Sequence, residues 1–131
     1  MSIIQQIDQN LKWLSQNVNS QDVSAKLQKV EELSHNCYYL SDLVGEAHEA
    51  KNDAEVLYKT SVDSYVANAE GSQSRAEVKA KELYKDSFIA WKKAENIYKK
   101  YQLKLSAAGV VIEQVRQTCS YLKQEKRYES Q

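Results

Sequence analysis

Apolar residues recur at helical spacing from the start of this chain. The first of them, each three or four residues after the last, are Ile3, Ile7, Leu11 and Leu14. This pattern predicts a short helix over about residues 2–17. The segment 17–22 is rich in Asn, Ser and Asp, whose side-chain oxygens accept hydrogen bonds from the free N–H groups at helix starts. We therefore expect a second helix to begin at residue 23.

The second predicted helix covers residues 23–70 and has an apolar pattern with a seven-residue period. One column of positions consists of Val23, Val30, Cys37, Val44, Tyr58 and Tyr65, and the other consists of Leu33, Leu40, Ala47 and Ala54. A strict seven-residue repeat is the period of a coiled coil. This helix should therefore supercoil around a partner helix.

The clearest break in the chain is at Gly71, which can adopt the left-handed conformation that ends many helices. Ser74 and Glu77 then match the capping-box pattern, and a third helix is predicted over residues 75–122. Its apolar spacing is irregular before Gly109, so we expect a bend or a reversal near residues 105–109. Residues 123–131 should form a polar tail.

These elements predict an all-α fold in one domain of 131 residues: a long antiparallel coiled-coil hairpin with a short N-terminal helix. The chain contains no proline and three glycines, so little interrupts its helices. Nine tyrosines and two tryptophans provide more aromatic surface than three helices can bury among themselves. Surplus apolar surface usually contacts another chain, and we therefore expect a homo-oligomer.

Charge divides at Gly71 although the net charge of the chain is zero. Residues 1–71 contain five basic and eleven acidic side chains, a net charge of −6, and residues 72–131 contain thirteen and seven, a net charge of +6. Such asymmetry suggests an anionic partner for the second half.

Basic residues in the third predicted helix are interleaved with the aromatic residues Tyr84, Trp91, Tyr98 and Tyr101. The basic residues are Arg75, Lys79, Lys81, Lys85, Lys92, Lys93, Lys99, Lys100 and Lys104. Cations that bind phosphates, together with rings on which bases stack, are typical of single-strand binding without sequence preference. The alternative is a solvated lysine face that pairs with the acidic second helix of the same hairpin.

Residue patterns for catalysis, metals and membranes are missing. His35 and Cys37 are two residues apart and point away from each other on a helix, and Glu32 with His35 forms only half of a di-iron motif. We expect no enzyme activity, no metal and no cofactor. Without an apolar segment for a signal peptide or a bilayer span, and with two cysteines, a cytoplasmic protein is expected.

The order of these features resembles the UvsY family of phage recombination mediators. The similarity covers most of the chain, and the better-matching segments are residues 22–40, residues 59–65 before the glycine turn, and residues 112–122. The resemblance implies a ring-forming protein of the bacterial host cytosol that binds single-stranded DNA. Such a protein helps a RecA-like recombinase replace single-strand-binding protein.

The family's DNA-binding motif is matched in part. Lys59 occupies the position of the family's lysine, but Ser61 stands where the family has an arginine. We expect basic residues after the turn to replace that cation. The candidate DNA-binding set is therefore Lys59, Arg75, Lys79, Lys85, Trp91, Lys92, Lys93, Lys99 and Lys100. The alternative function is a non-catalytic protein-interaction module, such as a phage adaptor, a chaperone or an inhibitor of a host protein, without nucleic-acid binding.

Overall fold

The computed structural model describes residues 1–129, and this part of the chain forms four α-helices and no strand. The helices are α1 (Ile3–Gln16), α2 (Val23–Asn68), α3 (Gln73–Leu83) and α4 (Lys85–Glu129). The prediction of an all-α protein is therefore confirmed. Ser130 and Gln131, the end of the predicted tail, lie outside the described residues.

Side chains cap the first two helices. The Ser2 hydroxyl accepts a hydrogen bond from the Gln5 backbone N–H, and the Gln5 side chain accepts one from the Ser2 N–H, which completes a capping box. At the start of α2 the Asp22 carboxylate accepts from the N–H of Ala25 at 3.0 Å. The polar segment 17–22 thus ends one helix and begins the next, as its composition predicts.

The turn between α2 and α3 is centred on Gly71, which has a φ of +96°. This left-handed conformation strains any residue with a Cβ atom, and a glycine here was expected. The predicted capping box at Ser74 is wrong, because α3 already begins at Gln73. Ser72 is the residue at its N-cap, and the Ser72 side chain makes no capping hydrogen bond.

The predicted third helix is divided at Tyr84. The Tyr84 backbone leaves the helical conformation, with ψ at 24°, but its N–H still donates to the Ala80 carbonyl and its carbonyl accepts from the Phe88 N–H. Because both four-residue hydrogen bonds are kept, the break costs little free energy and needs neither glycine nor proline. The sequence therefore gave no signal for it.

Helix α4 passes through Gly109 without interruption and ends at Glu129. The expected reversal near residues 105–109 is wrong, and so is the expected helix end at residue 122. The helix continues because residues 105–129 contain no proline and only one glycine, whose cost of about 1 kcal/mol a helix of this length tolerates.

The chain forms two compact units. The first contains Met1–Leu43 together with the chain from Gln102 onward, which brings α1, the first part of α2 and the second part of α4 together. Its core includes Val30, Leu33 and Leu40 from the seven-residue columns of α2. This part of the predicted seam is therefore buried inside the chain.

The second unit is Val44–Tyr101, which contains the end of α2, all of α3 and the start of α4. Ala47, Ala76 and Ala80 are buried there. Ring contacts join His48 to Tyr98 and Tyr58 to Trp91, so residues later in α2 contact residues earlier in α4. The two helices are thus antiparallel within this unit.

Candidate nucleic-acid interface

Five lysines of the candidate set lie along one side of α4 in the second unit. Seven residues are nearly two helical turns, so Lys85, Lys92 and Lys99 form one column and Lys93 and Lys100 form a second beside it. Lys92 is half-buried and the other four are exposed. We call these five residues the lysine face. It extends about 22 Å along the helix at 1.5 Å per residue.

The acidic part of α2 is not paired with this face. Residues 44–68 contain five acidic and two basic side chains, and residues 73–101 contain eight basic and four acidic ones. The ion pairs within the second unit, which is described in full, are nevertheless all within one helix: Glu55–Lys59, Lys92–Glu95 and Lys99–Glu95. Except for the Lys92 ammonium, which lies over the Trp91 ring, the lysine face therefore presents its charge to solvent.

In the described part of the chain, Glu95 is the one carboxylate within 4 Å of lysine-face ammonium groups. Its Oε1 lies 3.8 Å from the Nζ of Lys92 and 3.3 Å from the Nζ of Lys99. Within the described residues no carboxylate lies within that distance of Lys85, Lys93 or Lys100. These three ammonium groups are available to an anion without the loss of an ion pair.

Trp91 lies on another side of α4 and packs against α2. Its ring stacks on Tyr58, with centroids 5.7 Å apart and 28° between the planes, and it meets Phe88 edge-on at 5.8 Å. The ammonium groups of Lys92 and Lys59 lie 4.0 and 5.5 Å from its centroid. A nucleic-acid base could stack on this ring only by displacing one of these groups.

The Nε1 atom of Trp91 is buried and has no hydrogen-bond partner among the described residues. Tyr98 also contacts α2, where its ring lies 4.9 Å from His48 and 5.8 Å from the ammonium of Lys51. Trp91 and Tyr98 therefore both pack against α2, and the part of the lysine face that reaches the Trp91 ring is the Lys92 ammonium. This arrangement does not support the expected stacking of bases on Trp91.

Lys59 lies beside the aromatic cluster that Tyr58, Phe88 and Trp91 form, and it is engaged in an ion pair. Its Nζ donates to the Glu55 carboxylate at 2.8 Å. This hydrogen bond lowers the pKa of Glu55, and the positive charges of Lys59, Lys51 and Lys92 lower it further. The pair therefore persists at neutral pH and is lost only as the pH falls through the lowered pKa.

Arg75 and Lys79 lie elsewhere in the second unit, on α3. Both are exposed and line an open groove of about 630 Å³ beside the glycine turn, together with Tyr65 and Tyr84. The groove adjoins the N-terminus of α3, where the helix dipole also favours negative charge. These two cations extend the basic surface beyond the lysine face.

The candidate set thus falls into three groups: the lysine face, the pair Lys59 and Trp91 in the aromatic cluster, and the pair Arg75 and Lys79 beside the turn. Sequence reasoning missed the carboxylates of Glu55 and Glu95, which compete for some of these cations. Each lies four residues before a lysine, at Lys59 and Lys99, and this spacing is a recognisable signal for an ion pair on a helix.

Residues 1–129 contain neither a metal-binding cluster nor a membrane-spanning helix. No group of three or more His, Cys, Asp or Glu side chains in this range could hold a metal ion. No helix in this range has an apolar stretch sufficient to cross a bilayer.

Comparison of the chain with family models, with curated proteins and with solved structures finds no match. The resemblance to phage recombination mediators therefore stays a prediction. The support for the candidate nucleic-acid interface comes from the geometry of its residues.

Proposed function

We propose that this protein binds single-stranded DNA through the lysine face of α4 and acts without catalysis. The observation that carries the proposal is the exposure of Lys85, Lys93 and Lys100 beside an acidic helix that makes no ion pair with them. Phosphates can bind these ammonium groups at little cost, because no existing ion pair has to break.

The role that we propose is that of a phage-type recombination mediator. Such a protein helps a RecA-like recombinase replace single-strand-binding protein in the cytosol of a bacterial host. The resemblance in sequence supports this role, and so does the antiparallel contact of α2 with α4, which fits a coiled-coil hairpin. A homo-oligomer would repeat the lysine face, and several weak sites on one particle raise avidity by orders of magnitude.

Charge reversal on the lysine face tests the proposal. Lys93 and Lys100 are the best targets, because both are exposed and neither has an ion pair or a ring contact with any residue from 1 to 129. Lys92 is a poorer target, since its ammonium packs on Trp91. We expect Lys93→Glu with Lys100→Glu to weaken binding of a labelled single strand by about tenfold or more at low salt.

The matched control reverses the same number of charges in the first unit, at the exposed residues Lys12 and Lys123. Lys12→Glu with Lys123→Glu gives the same change in net charge, so a general electrostatic effect weakens both variants equally. Selective loss in the lysine-face variant supports the proposal. Undiminished binding in that variant contradicts it. Circular dichroism of both variants verifies that the helix content is unchanged.

The second candidate function is a protein-interaction module without nucleic-acid binding. The observation that favours it is the number of large apolar side chains exposed on α4, among them Leu103, Val110 and Tyr121. Such a protein would bind nucleic acid weakly or only at very low salt. Binding of a single strand at moderate salt therefore separates the two functions.

A further inference from the structure

Helix α4 carries a second apolar stripe, on the side away from the core of the first unit. From Leu103 to Tyr128 it takes alternate steps of four and three residues, the spacing of a coiled-coil seam. Leu103, Val110, Tyr121 and Tyr128 are 71%, 55%, 70% and 78% exposed. The remaining positions are Ala107, Gln114, Gln117 and Gln124, all exposed. We call these eight positions the outer stripe.

The outer stripe is distinct from the face of α4 that packs inside the chain. That inner face contains Ala108, Ile112 and Cys119, all of them buried. None of the eight outer positions is charged, although 27% of the chain is charged. An uncharged, solvent-exposed seam over about 38 Å of helix is the pattern of a surface that pairs with another helix.

We propose that the outer stripe pairs with the outer stripe of a second copy of this chain, with the two α4 helices antiparallel. In the register that pairs every position, Leu103 lies opposite Tyr128 of the second copy and Val110 lies opposite Tyr121. Each of these two layers combines one aliphatic residue with one tyrosine, and the other two layers pair Ala107 with Gln124 and Gln114 with Gln117. The interface is two-fold symmetric, so each of these layers occurs twice.

Charge complementarity selects this orientation. In the antiparallel register Lys104 lies beside the seam opposite Glu125 of the second copy, and the two-fold axis repeats this pair. Lys104 already bonds Asp8 of its own chain at 2.6 Å, so Glu125 would complete a small ionic network. In a parallel pair the flanking positions bring Glu113 opposite Thr118 and Ser120 opposite Glu125, and no opposite charges meet.

A groove beside the outer stripe also supports pairing with a second copy of the chain. It has a volume of about 640 Å³, lies within the first unit, and is lined by Leu11, Leu14 and Val18 together with α4 residues that include Ala107 and Gln114 of the stripe. A second helix that lies along the stripe also covers this groove. The pairing therefore removes apolar surface of both α1 and α4 from water.

Sedimentation velocity without nucleic acid tests the pairing. We expect wild-type chains to form dimers or assemblies of dimers at about 50 μM, in the range of a modest interface. Val110→Asp places a carboxylate in the seam and should reduce self-association by about tenfold or more. The control is Gln102→Asp, an equal change in charge at an exposed position of α4 outside the stripe. Wild-type chains that stay monomeric, or a Val110→Asp variant that associates like wild type, overturn the proposal.

Disulfide cross-linking tests the orientation. A mixture of Leu103→Cys and Tyr128→Cys chains should form a cross-linked dimer on mild oxidation, and neither variant alone should exceed the wild-type background. Efficient cross-linking of Leu103→Cys with itself indicates a parallel pair and overturns the proposed register. The wild-type chain provides the background of Cys37 and Cys119, of which Cys119 is buried.

This inference rests on the self-association that forms part of the proposed function, but its test does not use DNA. A chain that binds the single strand as a monomer overturns the pairing and leaves the DNA-binding proposal standing. A chain that pairs through the outer stripe without binding the strand supports the pairing and overturns the DNA-binding proposal.

Discussion

Tyr58 of α2 stacks on Trp91 of α4, with ring centroids 5.7 Å apart, and this contact holds the two helices together in the second unit. Trp91→Ala should lower the free energy of unfolding by about 2–3 kcal/mol, because it removes a half-buried ring from a cluster with Phe88 and Tyr58. Urea unfolding followed by circular dichroism measures the change.

The conservative variant Trp91→Phe separates stability from binding. It keeps an aromatic ring and removes the Nε1 donor, which has no hydrogen-bond partner in residues 1–129, so we expect a change in stability within about 1 kcal/mol. Affinity for a single strand should change by less than about twofold if binding uses phosphate contacts alone. A large loss of affinity with unchanged stability indicates that bases stack on Trp91 after all.

Glu95 holds two ammonium groups of the lysine face and should compete with phosphates for them. Glu95→Gln releases Lys92 and Lys99, and we expect it to raise the affinity for a single strand by about threefold at low salt. The gain should shrink as salt screens the charges. Glu113→Gln makes the same change in charge in the first unit and is the control. An equal gain in both variants contradicts the specific role of Glu95.

A buried amide network joins α1 to α2 in the first unit. The Asn10 Nδ2 donates to the Asn36 Oδ1 at 2.8 Å, and the Asn36 Nδ2 donates to the Gln6 side chain at 2.9 Å. Asn36→Ala leaves the buried amide of Asn10 without its acceptor, and we expect a loss of about 1–3 kcal/mol in the free energy of unfolding. Gln9→Ala, at an exposed position of α1, is the control. Denaturant unfolding that gives equal values for the two variants would contradict this role.

The two thiols should react slowly in the folded protein. Partial burial raises the pKa of the Cys37 thiol, which lowers its thiolate fraction at neutral pH, and Cys119 is only 1% exposed. We expect a chromogenic disulfide reagent to modify both thiols at least about tenfold faster in denaturant than in buffer. The variant Cys37→Ser assigns the remaining signal to Cys119. Fast modification of the folded wild-type chain would contradict the packing described here.

The sequence predicted the all-α class and the bounds of the first two helices to within two residues, because both follow from local spacing. The sequence could not tell whether an apolar seam contacts its own chain or another chain. Leu40 is an example: it belongs to the seven-residue columns of α2, and the structure buries it fully inside the first unit. The break at Tyr84 escaped prediction because its hydrogen bonds continue the helical pattern.

The candidate site was predictable only in part, for a geometric reason. Successive residues on a helix are separated by about 100°, so residues that are neighbours in the sequence can belong to different faces. Trp91 contacts α2, whereas Lys93 and Lys100 face solvent. Sequence composition indicated both cations and rings, but only the structure shows which of them share a face of the helix.

The most direct test of the central claim is fluorescence anisotropy of a labelled single strand of about 30 nucleotides, titrated with wild-type protein at several salt concentrations beside a duplex of the same sequence. If the five lysines of the lysine face bind phosphates, the logarithm of the association constant should fall linearly with the logarithm of salt concentration. Its slope should be about −3 to −4 for a single strand. The proposed role as a single-strand-binding mediator further predicts that the single strand binds more tightly than the duplex. Absence of binding at moderate salt, or binding that salt does not weaken, would contradict the claim.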